Sequence, residues 1–215
     1  MNKILAIDTA LEACAVSVAN GDQRHTIYEP MGRGQTERII PMVLDACEAV
    51  SVHLGDIEAV CVTRGPGSFT GVRVGLSVAR TLASIKDIPL YGLTTFESIM
   101  PFMPEDTQHY GIVLESKRDD VYFQMVANGE AQTPYLTTCA DILTELELIG
   151  NVDALKDRLT PFDLKNITEK MIDLVRTGNI KAGNEKPFYL RDADISKSKK
   201  TYRTLSQEVL TDIEN

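Results

Sequence analysis

Apolar and polar positions recur along this chain with a spacing that changes from block to block, and each change marks an element. Lys3 to Asp8 is an apolar run closed by an acid, the pattern of a buried strand. Cys14 to Ala19 alternates small and β-branched residues and pairs with it across the Thr9–Ala13 turn. Gln23 to Tyr28 follows the Gly21-Asp22 turn as a third strand. The period then lengthens. Between Glu37 and Val50, Ile39, Val43, Ala46 and Val50 form a stripe at helical spacing, and Ile40, Leu44 and Cys47 widen it. Ala59–Thr63 is a fourth strand, Val72 to about Ile85 a second helix and Leu90–Leu93 a fifth strand, after which Thr94-Thr95 caps a short helix through Met100.

The second half repeats this rhythm. Gly111–Leu114, Val121–Val126 and Gln132–Leu136 form a meander turned at Asp119-Asp120 and Asn128-Gly129. Thr138 begins a helix carrying Ile142, Leu143 and Leu146, Ile149–Val152 is a strand, and Ile167, Met171, Leu174 and Val175 mark a helix ending near Gly178. Three strands followed by helix, strand and helix thus occur twice. The pattern predicts an α/β protein of two lobes, residues 1–102 and a smaller 103–215, whose C-terminal segment packs back on the first lobe. Duplicated βββαβα lobes of the RNase H-like type resemble the two-lobe actin-like (ASKHA) architecture of actin, Hsp70 and the sugar kinases.

Composition narrows the function classes. The 215 residues are 43% hydrophobic and 25% charged, as in a folded globular chain. No window approaches the ~20 apolar residues of a membrane span, and the N-terminus opens into a strand instead of a signal peptide, so a cytoplasmic protein without membrane contact is expected. Cys14, Cys47, Cys61 and Cys139 are scattered on apolar faces, the pattern of reduced, buried thiols. A net charge of −9 argues against a broad nucleic-acid face. Lys197–Arg203 is the one basic run, either a solvated tail or a local RNA phosphate contact.

The candidate chemistry centres on Gly65-Pro66-Gly67-Ser68-Phe69-Thr70-Gly71, a glycine loop between strand and helix. That arrangement aims free N–H groups at an anion, but the loop lacks the Gly-Lys-Ser/Thr ending of a Walker A sequence. It reads either as a tight corner, which the spacing favours, or as an anion or nucleotide contact made by Asp8, Thr9, Gly67, Ser68 and Thr70. His25, His53 and His109 are too dispersed for a metal site, and neither Ser68 nor Ser77 stands in a nucleophile elbow. No catalytic residue is therefore assigned. Two helices carry more apolar surface than one small lobe needs to bury, and a partner interface is expected on Ile39, Ile40, Val43, Leu44, Cys47, Arg73, Val74, Ser77 and Thr81.

Four segments carry a family resemblance: Ile4–Ala10, Thr36–Pro41, Gly65–Arg73 and Pro187–Arg191. Together they resemble the TsaB (YeaZ) family, the bacterial subunit of the machinery that makes N6-threonylcarbamoyladenosine at tRNA position 37. The resemblance is broad over the first hundred residues and thin in the second lobe. It implies a non-catalytic actin-like subunit that pairs through its two first-lobe helices with a TsaD-type catalytic subunit, which holds metal through paired histidines. It also implies docking of a TsaE-type ATPase, self-association when alone, and tRNA contact mainly through the complex. No cofactor is expected on the isolated chain, with ATP or ADP at the joint interface. At Gln35-Thr36-Glu37 the family often has His-Ser-Glu, and at Glu115-Ser116-Lys117-Arg118 it often has Asp-Ala-Arg. An ATPase or kinase of the same fold, using Asp8 and the glycine loop, is the competing reading.

Overall fold

The computed structural model describes residues 1–191. Its first sheet contains β1 (Lys3–Asp8), β2 (Ala13–Asn20), β3 (Gln23–Pro30), β4 (Ala59–Thr63) and β5 (Leu90–Leu93), in the order β3-β2-β1-β4-β5. The first three strands are antiparallel, and β4 and β5 extend the sheet in parallel. β1 lies at the centre with both faces covered, so it reads as a continuous apolar run. Leu5 and Ile7 face one hydrophobic core and Ile4 and Ala6 another. On the first face lie α1 (Gln35–Ala49) and α2 (Phe69–Lys86), with Ile39, Met42, Val43 and Leu76 fully buried. Each such Leu or Ile contributes about 1.5–3 kcal/mol of burial.

α3 (Thr95–Ile99) begins with a complete capping box between Thr94 and Glu97. The second sheet is built from β6 (His109–Glu115), β7 (Val121–Ala127), β8 (Glu130–Ala131), β9 (Tyr135–Thr137), β10 (Glu147–Gly150) and β11 (Leu159–Thr160). Its order is β11-β10-β6-β7-β8, with β9 also pairing β7. The last helix, α4 (Ile167–Arg176), gives this sheet's core only Ile167 at its start and turns the rest of its apolar face elsewhere. It packs Met171, Ile172 and Val175 against Ile4, Ala6, Ala59 and Cys61 of the first sheet. A polar chain locks it there. The Ser17 hydroxyl lies 2.6 Å from both Thr26 and Thr168, Thr26 donates to Glu169, and Arg24 pairs with Asp173 at 2.6 Å. In return, α3 buries Phe96 and Ile99 among Tyr110, Ile112 and Leu114 of the second sheet. The two sheets exchange helices.

Two RNase H-like sheets in this topology form the actin-like α/β fold, but the second copy is reduced. The helix expected from Thr138 is absent; Cys139–Asp141 makes one tight turn in its place. There the Thr138 hydroxyl bonds the Asp141 carboxylate, and of the three apolar residues Ile142 is buried while Leu143 is 69% exposed, so no stripe exists to dock a helix. The strand expected over Gln132–Leu136 is split into β8 and β9 around Pro134, which has no N–H to give a ladder. The following strand begins earlier than Ile149 and ends at Gly150, where a Cβ would stand 1.8 Å from the Val113 carbonyl oxygen. α2 starts at Phe69, ahead of Val72, because Ser68 caps it.

Candidate functional site

The end of β1 is pressed into the glycine loop. A Cβ at Gly67 would lie 2.2 Å from the Ala10 carbonyl oxygen, and at Gly71 1.9 Å from that of Thr9. Such distances admit no side chain. The Ser68 N–H donates to the Ala10 carbonyl at 2.7 Å, the Thr9 hydroxyl donates to the Gly71 carbonyl at 2.7 Å, and the Ser68 hydroxyl accepts from the Gly71 N–H. The loop's glycines and part of its donor set are spent on protein. They form a strand-to-helix corner.

Asp8 and Thr9 sit behind this corner. Both are buried, and the Asp8 carboxylate accepts from the Thr63 hydroxyl and from the N–H groups of Ala10 and Leu11. Burial raises its pKa against the pull of these bonds. Of the five residues expected to contact an anion, Gly67, Ser68 and Thr70 line the cleft between the lobes, while Asp8 and Thr9 lie behind the loop.

This cleft encloses about 380 Å³ and is lined by Pro66–Thr70, Glu115–Arg118, Tyr122 and Phe188–Arg191. In its wall Lys117 pairs with Glu12 at 2.5 Å and Arg191 with Asp120. Among the described residues no three His, Cys, Asp or Glu side chains converge as metal ligands. No described helix is long and apolar enough to cross a membrane.

The face of α1 and α2 is different. Ile39, Val43 and Cys47, expected on a partner surface, are buried in the first-lobe core, and burial pushes the Cys47 thiol pKa up. They point inward because the stripe they share with Ala46 is the one that faces β2 and β3. The widened edge of that stripe reaches solvent, with Ile40 41% and Leu44 49% exposed. Arg73, Ser77 and Thr81 are exposed and Val74 half-buried. A groove of about 450 Å³ runs between the helices, lined by Thr36, Ile40, Phe69, Arg73, Val74 and Val78 among others, and a smaller one of about 210 Å³ continues it past Thr81 and Leu82.

Sequence reasoning missed Phe69, Ile85, Leu82 and Tyr189 on or beside this face. Ile85 is 75% exposed and continues the helical row from Val74 through Val78, a signal present in the spacing. Phe69 was hidden by placing the helix start too late. Tyr189 stacks on Phe69 with ring centres 5.2 Å apart, and no local pattern links positions 120 residues distant in chain. Of the eight large apolar side chains exposed among the described residues, four (Ile40, Leu44, Phe69 and Ile85) lie on α1 and α2. The Lys197–Arg203 run lies outside the described residues.

Comparison with known proteins agrees with the geometry. Residues 26–161, well over half of the chain, match the family model described as TsaD: tRNA N6-adenosine threonylcarbamoyltransferase. The tRNA threonylcarbamoyladenosine biosynthesis protein TsaB of Escherichia coli (strain K12) is 45% identical over 93 residues, 43% of this chain and 40% of that protein. TsaB of Haemophilus influenzae is 31% identical over 134 residues, 61% of this chain and 57% of its own length. The matched stretch thus spans about two fifths to three fifths of these curated relatives. An uncharacterized protein of Mycobacterium tuberculosis is 30% identical over 146 residues, 66% of this chain and 68% of its own. YeaZ from Pseudomonas aeruginosa superposes with a TM-score of 0.69 at 21% identity, over 88% of this chain and 100% of that one, and so shares its fold. With the Gly65–Arg73 corner, the two exchanged lobes and these matches in agreement, the chain belongs to the TsaB (YeaZ) family.

Proposed function

We propose that this protein is a non-catalytic subunit in tRNA threonylcarbamoyladenosine biosynthesis, recruiting a TsaD-type catalytic subunit through the α1–α2 face. The observation that carries this reading is the exposed apolar groove between the two helices, lined by Ile40, with Leu44 and Ile85 of the same helices also open to solvent. A monomer gains nothing by leaving such side chains in water, whereas a helical partner buries them at about 25 cal/mol per Å². The engaged carboxylate of Asp8 supports a scaffold over an ATPase or kinase, which would need that group to reach a ligand. In this reading the protein works in the cytoplasm, self-associates through the same face when alone, receives a TsaE-type ATPase on the pair, and meets tRNA through the complex. Any ATP or ADP sits at the joint interface.

The test is co-purification with the TsaD-type subunit of the same organism, followed by tRNA modification with and without this chain. Stable association and stimulated transfer are expected. Failure to associate, or nucleotide turnover by the chain alone, would overturn the proposal.

A further inference from the structure

One cation at the mouth of the groove is held differently from its neighbours. Along α2, Arg80 donates to the Glu185 carbonyl and Lys86 to that of Gly55, so both are used within the chain. Arg73 spends only its Nε–H, on the Tyr189 hydroxyl at 3.2 Å. Its guanidinium carbon lies 3.7 Å from the centre of the Phe69 ring, against which Tyr189 also packs. Among the described residues its two terminal amino groups have no hydrogen-bond or ion-pair partner. A guanidinium stacked on an aromatic face and fixed by one hydrogen bond has already lost much of its rotamer freedom, so the remaining fork is pre-organised for a planar acceptor.

We propose that Arg73, held by Phe69 and Tyr189, is a receptor for a partner carboxylate at the end of the α1–α2 groove. This rests on the partner-face reading above and adds the chemistry of the partner. The occupant is a helix that lays an apolar side chain between Ile40 and Val78 and carries an Asp or Glu about one turn away, over Arg73. Charge complementarity argues for an acid, because the open fork of Arg73 stands beside a groove otherwise lined by apolar and hydroxyl side chains. The cluster also has the make-up of a binding hot spot, with Arg, Tyr and Phe beside an apolar slot. Tyr189 is a positioning residue here. Its strap is fixed to the first lobe by the bond from the Phe188 N–H to the Arg64 carbonyl, and to the second by the Arg191–Asp120 pair.

The experiment is a calorimetric titration of the intact chain with its TsaD-type partner at low and moderate salt. It compares wild type with Arg73→Met, Arg73→Lys, Tyr189→Phe and Leu44→Glu, each first shown to melt like wild type. Arg73→Met should weaken binding about thirtyfold, as loss of a hot-spot side chain does, and flatten the salt dependence. Arg73→Lys should restore the salt dependence but only part of the affinity, because an ammonium cannot make the bidentate fork. Tyr189→Phe, which keeps the ring but drops the hydrogen bond, should weaken binding severalfold. If Leu44→Glu abolishes binding while both Arg73 variants bind as wild type does, the carboxylate receptor is refuted and the partner face stands. If Leu44→Glu leaves binding intact, the partner face itself is refuted.

Discussion

Gly71→Ala tests whether the glycine loop is a corner packed on β1 or a space kept open for a ligand. An exposed Gly-to-Ala change in a helix raises stability by up to about 1 kcal/mol. The structure reverses the sign here. The new Cβ would stand 1.9 Å from the Thr9 carbonyl oxygen, 3.1 Å from its carbon and 3.2 Å from the Ser68 Cβ, and two of these atoms are backbone. The start of α2 must then shift by on the order of 1 Å to regain van der Waals separation. Overpacking of this kind costs about 1–3 kcal/mol. The shift also strains the 2.7 Å bond from the Thr9 hydroxyl to the Gly71 carbonyl, worth about 1 kcal/mol, and the Ser68 cap, worth about as much again. Set against the propensity gain, the expected loss is about 2–4 kcal/mol. For a chain of this size that lowers the melting midpoint by about 4–16 °C. Urea titration with an unchanged slope would report it directly. A variant as stable as wild type, or more stable, would refute the close-packed corner. Such a variant unable to support tRNA modification would show that the glycine keeps room for a ligand.

Three further outcomes follow from particular contacts. Burial holds the Asp8 pKa above the usual carboxylate value of about 3.9, so the folded state keeps its proton more tightly and this contribution to stability is lost as pH rises through the folded value. The stability of wild type relative to Asp8→Asn should therefore fall as pH rises above about 4 in urea titrations, and a relative stability rising with pH there would contradict the assignment. Ser17→Ala leaves the Thr26 and Thr168 hydroxyls without their shared partner and should cost about 1–3 kcal/mol by denaturation while leaving partner binding unchanged. Ile40→Glu with Leu44→Glu alters side chains 41% and 49% exposed, so each change should move stability by no more than about 0.5 kcal/mol. In sedimentation experiments the same pair should abolish both self-association and partner binding.

Much of the first lobe was legible because its signals are local. The unbroken apolar run of β1, the alternation of β2, the Gly21-Asp22 turn and the Thr94 cap each follow from neighbours within a few positions. The exchange of helices was not. Met171 and Ile172 show only that α4 has an apolar face, and nothing in their spacing says that this face meets Ile4 and Cys61 and not the nearer second sheet. The Thr138 segment failed for the opposite reason, since three apolar residues in a short stretch imitate a helical stripe unless burial is known. In the candidate site, the widened stripe of α1 pointed to the right helix but could not divide it. Ile39 and Val43 lie one turn apart facing the core, while Ile40 and Leu44, a single residue onward, face water. The cluster of Arg73, Phe69 and Tyr189 depended on a contact between positions 116 apart, which local pattern cannot carry.

The central claim is that the α1–α2 face makes this protein an activator of a catalytic partner. Its most direct test is the rate of threonylcarbamoyl transfer to tRNA by the TsaD-type subunit, measured with wild-type chain and with the Ile40→Glu, Leu44→Glu variant at equal folded concentration. The account predicts strong stimulation by wild type and at least about a tenfold loss with the variant, as expected when charges are forced into an apolar interface. Equal stimulation by both chains would contradict it.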